Sequence, residues 1–194
     1  MTPAHVRRSA SRWRYVAAGA AIMALAAALE LAMGRTPFCR CGSIELWTSD
    51  AWGPENSQQL TDPYTFTHVT HGVLLYFVTS LVAGRLMLPA RALLAVALES
   101  AWEVLENTNA VIDRYRAATM AVGYYGDSVF NSMGDIAVCM LGFALAARLP
   151  TRVTIVLVCT LEVALMLTIR DSLLLNVVML VHPLAAVRVW QAHH

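Results

Sequence analysis

The sequence predicts an all-α protein, a polytopic membrane helix bundle of five to six transmembrane helices forming a single integral domain over residues 1–194. Three observations predict it. The chain is 58% hydrophobic and only 14% charged, with a mean hydropathy of +0.56, too apolar for an ordinary soluble domain. Its apolar residues fall into runs that approach the about 20 residues a bilayer crossing needs. Polar residues inside those runs recur at intervals of three and four, the period of a helix.

The first run covers residues 15–33 and follows Arg7, Arg8, Arg12 and Arg14. An arginine-rich start and small residues at Ala24 and Ala26 also fit a signal peptide, but the apolar run continues to Met33, longer than a signal core. It is read as a retained span. Residues 35–67 follow, rich in turn formers and too long for a mere connector; outside the membrane they would form a lid. The second run is 68–88 and the third, a short one, 91–106. The fourth, fifth and sixth are 128–149, 153–169 and 172–187, the last again short. Residues 110–126 alternate apolar and polar groups and suit a segment lying in the membrane interface.

Arginine placement sets the orientation. The N-terminal cluster predicts a cytoplasmic N-terminus. Six spans then put Arg85, Arg91, Arg148, Arg152 and Arg188 inside, and Arg35, Arg40, Arg114, Arg116 and Arg170 outside. Both termini would be cytoplasmic, in the bacterial inner membrane, with 35–67 and 110–126 in the periplasm. The net charge is +1 and the chain has no lysine. Its scattered arginines give no nucleic-acid footprint. Membrane lipids are the expected partners, with a homo-oligomer or a larger membrane complex left open.

Inside the runs lie groups that hydrocarbon tolerates poorly. His68 and His71 stand at i, i+3; Glu99, Glu103 and Glu106 at i, i+4, i+7; Asp127, Asn131 and Asp135 at i, i+4, i+8. Each set occupies one helix face. An intramembrane ionisable group costs a few kcal/mol or more, and so faces a bundle interior or a wet cavity. In the topology above all three sets fall in the outer half of the membrane, with Glu30 and Glu162 in the same zone. The expectation is one buried His/carboxylate site open to the periplasm.

Imidazole with carboxylate is a ligand set for zinc or iron. His68, His71, Glu103 and Asp127 are the expected metal ligands. Glu103, Glu106 and Asp135 are the expected catalytic carboxylates. Arg114, Arg116 and Asn131 are placed at a substrate headgroup. The expected cofactor is therefore a divalent metal, and the reading is a metal-dependent hydrolase of a lipid or lipid-linked substrate. A proton or ion relay, a small transporter and a non-catalytic accessory subunit stand beside it. Asp127 and Asp171 each precede a serine and an apolar run, so both also read as N-caps, Asp171 the more so. Cys39 and Cys41 read as a local disulfide, two free thiols, or a metal or redox pair. P-loop, dinucleotide, G-x-S-x-G and H-E-x-x-H signatures are absent.

The stretches GRTPFCRCGSIELW, ENSQQLTDPYTFTHVTHG, ESAWEVLENT, DRYRAATMAVGYYGDSVFNSMGDI and RDSLLLNVVML, in that order, resemble an uncharacterised inner-membrane protein family of Gram-negative bacteria (domain of unknown function 2585; uncharacterised protein family 0314) over residues 31–190. The resemblance implies a multi-pass membrane protein and carries no activity, substrate or catalytic residue.

Overall fold

The computed structural model describes residues 3–192, with side chains from Trp13 onward. All regular structure among them is helical: α1 (Pro3–Ala32), α2 (Thr65–Val82), α3 (Leu88–Glu106), α4 (Asn109–Ala118), α5 (Val129–Ala146), α6 (Thr151–Thr168), α7 (Leu173–Val181) and α8 (Ala185–Gln191). Stretches within α1 (Trp13–Ala32), α2, α5 and α6 are long and apolar enough to cross a membrane. Their large apolar side chains face outward, among them Leu25 and Leu29 of α1, Leu81 and Val82 of α2, and Val156 and Leu167 of α6. The interior carries many of the polar groups. This inversion of a soluble protein suits a molecule whose surroundings are hydrocarbon.

The helix α3 explains why a third span was visible but short. It has the length of its neighbours and packs among α1, α2 and α5, yet Arg91, Glu99, Glu103 and Glu106 make it more charged than α2, α5 and α6. Leu94, Leu98 and Leu105 form an exposed stripe at i, i+4, i+11, while Glu99 and Glu103 turn inward. That division needs only helical periodicity.

Two parallel helices, α2 and α5, make the most extensive contact in the bundle. Glycines permit it. A Cβ on Gly72 would strike the carbonyl oxygen of Cys139 and the backbone nitrogen of Phe143, and a Cβ on Gly142 would strike the carbonyl oxygen of Val69. Close backbone approach through small residues is how helices gain contact where no hydrophobic force separates them from lipid. The α1, α3 and α6 helices run the opposite way, so the C-termini of all three reach the end at which α2 and α5 begin.

The sixth expected span is corrected. The run 172–187 breaks at His182–Pro183, because proline has no backbone N–H and clashes with the preceding turn. The nine-residue α7 rises only about 14 Å at 1.5 Å per residue, far short of a bilayer. Its partner α8 folds back on it: Arg170 NH1 donates to the carbonyl of Trp190 at 2.9 Å, and Gln191 Nε2 to the carbonyl of Arg170 at 3.1 Å. The end of α8 therefore lies at the end of the bundle where α6 finishes, and the start of α1 lies at the other. With α7 and α8 both too short to cross, the even count of six spans behind the expected placement of both termini on one side is replaced by an odd count if α1, α2, α3, α5 and α6 all cross.

Residues 33–64 form an irregular cap tied to the start of α5. An α-helix leaves its first N–H groups unpaired. Here Val129 N donates to the carbonyl of Thr36 at 2.9 Å and Phe130 N to that of Pro37 at 3.1 Å. Asn131 N donates to Ser128 Oγ at 3.1 Å. The cap also packs Ala51 against Leu165 and Ile169 at the end of α6. Within it, Cys39 and Cys41 are joined as a disulfide.

Two outcomes are expected. Gly142→Leu should destabilise the protein by about 2 kcal/mol or more through overpacking against fixed backbone, read as a lowered midpoint of thermal unfolding in detergent. A topology reporter fused after His194 should report the same side of the membrane as one inserted near Asn56. A reporter at the N-terminus should report the other side.

Candidate metal centre and its cavity

The start of α2 is fixed by a residue outside the helix. Asp62 accepts from the backbone N–H of Ser57 at 2.8 Å, of Tyr64 at 2.7 Å and of Thr65 at 3.3 Å. Thr65 Oγ1 in turn donates to Asp135 Oδ1 of α5 at 3.2 Å. Burial pushes the Asp62 carboxyl above the ordinary carboxylate range, and those N–H bonds oppose the shift.

One turn on, the imidazoles meet the face of α3. Nδ1 of His68 and Nδ1 of His71 both reach Glu99 Oε1, at 2.7 and 3.0 Å. A carboxylate can only accept, so each ring presents Nδ1–H to it and keeps Nε2 as a free donor atom for a ligand. His68 Nδ1 lies 3.5 Å from Glu103 Oε1, and its Nε2 lies 3.7 Å from Asp135 Oδ2. Glu103 is 1% exposed, and neither of its carboxylate oxygens has a hydrogen-bond partner. No arginine forms an ion pair with any of these carboxylates among the described residues.

The groups form a string. Three overlapping sets each hold ligand atoms within 4.8 Å of one another: His68, His71 and Glu99; His68, Glu103 and Asp135; Glu103, Glu106 and Asp127. His68, His71, Glu103 and Asp127, chosen as ligands from the sequence, are thus brought into one neighbourhood, with His71 and Asp127 at opposite ends of the string. Glu103, Glu106 and Asp135 also belong to it. Glu30, fully buried at the end of α1, adjoins Asp127 and Ser132. Glu162 lies apart, accepting from the backbone N–H of Leu174 at 3.1 Å.

Asp127 is held from α3. Asn107 Nδ2 donates to Asp127 Oδ2 at 2.9 Å and Asp127 N returns a bond to Asn107 Oδ1 at 2.8 Å. Tyr124 OH donates to Asp127 Oδ1 at 2.9 Å. Burial pushes the Asp127 carboxyl up to about 6, against those side-chain bonds. Burial also drives Tyr124 well above the ordinary phenol range, with the Asp127 charge adding to the shift. Gly126 makes the turn: its φ is +94°, and a Cβ there would lie 2.8 Å from Asn107 Oδ1. The helix caps expected at Asp127 and Asp171 are instead the serines that follow. Ser128 caps α5 and Ser172 caps α7, because a serine hydroxyl one position nearer reaches the N3 amide.

These groups border a cavity of about 470 Å³, within the range of small-molecule sites, enclosed by the cap, α4, α7 and the segment 119–126. His68, His71, Glu106, Asp127, Asn131 and Asp135 all line it; Glu99 and Glu103 sit behind. Asn131 also binds the cap, donating from Nδ2 to the carbonyl of Gln59 at 2.9 Å. Arg114 and Arg116 do not line the cavity. Arg114 Nε donates to the carbonyl of Leu180 at 2.7 Å, as cations do at helix C-termini. Arg116 Nε bonds the carbonyl of Tyr124, and its NH1 lies 3.4 Å from Asp113 Oδ1.

The chain matches the family model described as "Protein of unknown function (DUF2585)" over residues 30–193, a match that opens at Glu30. It is 48% identical over 186 residues to the UPF0314 protein of Paracoccus denitrificans, covering 96% of this chain and 94% of that protein. It is 42% identical over 185 residues to the UPF0314 protein of Brucella anthropi, covering 95% and 94%. To the UPF0314 protein of Sphingopyxis alaskensis it is 46% identical over 178 residues, covering 89% and 92%. The chain belongs to the DUF2585 family. No solved structure matches it.

Sequence reasoning left Asp62, Asn107 and Tyr124 out of the site and gave Glu99 no role. Asp62 had a signal, since Asp-Pro-Tyr-Thr before an apolar run is a helix-start pattern. Glu99 stands on the same face as Glu103, and only the tertiary fold shows that it orients both imidazoles. Asn107 and Tyr124 carry no sequence signal for their pairing with Asp127.

Asp171, which lines the same cavity, accepts from Tyr64 OH at 3.0 Å and Asn176 Nδ2 at 3.2 Å. Burial pushes its carboxyl up from 3.8 to about 6 against those bonds. A raised carboxyl contributes stability that is full below about 3.8 and is lost as pH rises through about 6. Thermal unfolding measured across that window should show a falling midpoint, and Asp171→Asn should flatten part of the fall.

Proposed function

We propose that this protein is a metal-dependent membrane hydrolase acting on a lipid or lipid-linked substrate, with His68, Glu103 and Asp135 as the ligands of a divalent ion, zinc or iron. The observation that carries the reading is Glu103. A carboxylate buried without a hydrogen bond is costly unless a cation joins it. The groups around it are an imidazole and another carboxylate rather than an arginine. The 3.7 Å between His68 Nε2 and Asp135 Oδ2 suits two ligands at about 2 Å from one ion. Those three donors give a mixed nitrogen and oxygen set with room for further positions on the cavity side.

In this reading Glu99 is a positioning residue, holding both rings by Nδ1 so that Nε2 faces outward. A bound divalent ion would supply Lewis acidity toward a substrate oxygen and acidify water. Glu106, which lines the cavity within reach of Asp127 and Glu103, would be the general base that takes a proton from a water attacking the substrate. A transmembrane relay fits less well, since such a path needs ionisable groups or water continuing across the bilayer. Beyond Glu99 the interior holds Ala95, Val96, Cys139 and Phe143, and the hydroxyls buried there, Thr79 and Thr154, bond carbonyls one turn back on their own helices.

Elemental analysis of detergent-purified protein should find about one zinc or iron per chain, with His68→Ala and Asp135→Asn lowering it at least tenfold. Glu106→Gln should keep the metal and lose turnover of chromogenic acyl esters by about two orders of magnitude or more, as loss of a general base does. Protein that carries no stoichiometric metal, with function in cells intact in Glu103→Gln, would leave the polar network a device for fixing helix register.

A further inference from the structure

The substrate cavity has a sign. Asp62, Glu106, Asp127, Asp135 and Asp171 border it, and no arginine does. A single divalent ion held by His68, Glu103 and Asp135 would leave most of that negative charge in place. The arginines nearest its walls are engaged elsewhere: Arg114 and Arg116 on backbone carbonyls, Arg35 on the carbonyl of Tyr125 and the side chain of Asn109, Arg170 on the carbonyl of Trp190, and exposed Arg40 on the ring of Tyr125, 4.9 Å from its centroid. An anionic headgroup would meet carboxylates with nothing to pair it.

The walls also carry rings. Trp102, Tyr64, Tyr115, Tyr124 and Tyr125 line the cavity, and aromatic faces beside carboxylates are the surroundings that hold ammonium groups. Gln58 supplies an independent sign of an absent ligand. It is 1% exposed and lines the cavity. Its amide nitrogen is spent on the carbonyls of Ser57 and Gly126, at 2.8 and 2.9 Å. Its Oε1 accepts no hydrogen bond. A buried acceptor left open is costly unless a donor fills it.

One side of the cavity is apolar. Val122, on the segment after α4, and Val177, on α7, both line it and are 62% and 50% exposed. Both would give an alkyl chain apolar contact on its way out of the cavity. We infer that the cavity binds an amphiphile with a cationic ammonium headgroup, the headgroup among the rings and carboxylates and the chain passing between Val122 and Val177. This names the substrate class of the proposed hydrolase and rests on that reading for catalysis, but not for binding.

Calorimetric titration of the detergent-solubilised full-length protein separates the alternatives, with protein-free micelles as the blank. Hexyltrimethylammonium should bind saturably, at least tenfold more tightly than hexyl phosphate, hexanol or tetramethylammonium. Trp102→Leu and Asp171→Asn should each weaken it at least tenfold while leaving bound metal unchanged. Tighter binding of hexyl phosphate, or equal binding of hexanol, would overturn the cationic headgroup. Tetramethylammonium binding as tightly as the hexyl compound would overturn the amphiphile. Ammonium binding to protein without metal would uphold this inference and remove the hydrolase. A metal-loaded protein indifferent to ammonium would do the reverse.

Discussion

Carboxylates buried at membrane depth without arginines are the constraint around which this molecule is arranged. Glu99, Glu103 and Asp135 are all but inaccessible, and the partners within ion-pairing distance are imidazoles. Placing such groups in hydrocarbon singly would cost several kcal/mol each. Grouping them lets each share hydrogen bonds, imidazole protons or an ion with the next. Three helices must therefore present one face each to a common point, and the fold is the means of holding those faces together. The glycine contacts at Gly72 and Gly142 bring α2 against α5 closely enough for Thr65 to reach Asp135.

The cap follows from the same need. A polar site at the end of a helix bundle has open helix starts around it, each with unpaired N–H groups. Carbonyls of Thr36 and Pro37 fill those of α5, and the Asp62 carboxylate fills those of α2. The cap is thus fixed by the helix termini that it covers. The same bonds place Gln58 and Tyr64 in the cavity wall, so that closing the bundle end and shaping the cavity are one event. The α7–α8 hairpin completes the enclosure, tied to α4 by Arg114 and to its own start by Arg170.

Legible along the chain were the long helices, their inward faces and the meeting of three polar faces at one end of a membrane bundle. Helical period and hydropathy are local properties, and burial of charge in an apolar run has few solutions. Membership of a DUF2585-type membrane family was legible too, through long motifs in the cap and the polar faces. Tertiary structure alone decided the rest. Pro183 breaks the run 172–187 locally, but that the piece beyond it folds back depends on α8 reaching Arg170, a contact across 20 residues. The direction of Arg114 depends on where α7 ends, and the pairing of Asn107 with Asp127 on a turn through Gly126. Long-range hydrogen bonds select among arrangements that leave composition and periodicity unchanged, and for that reason the sign of the cavity could not be read along the chain.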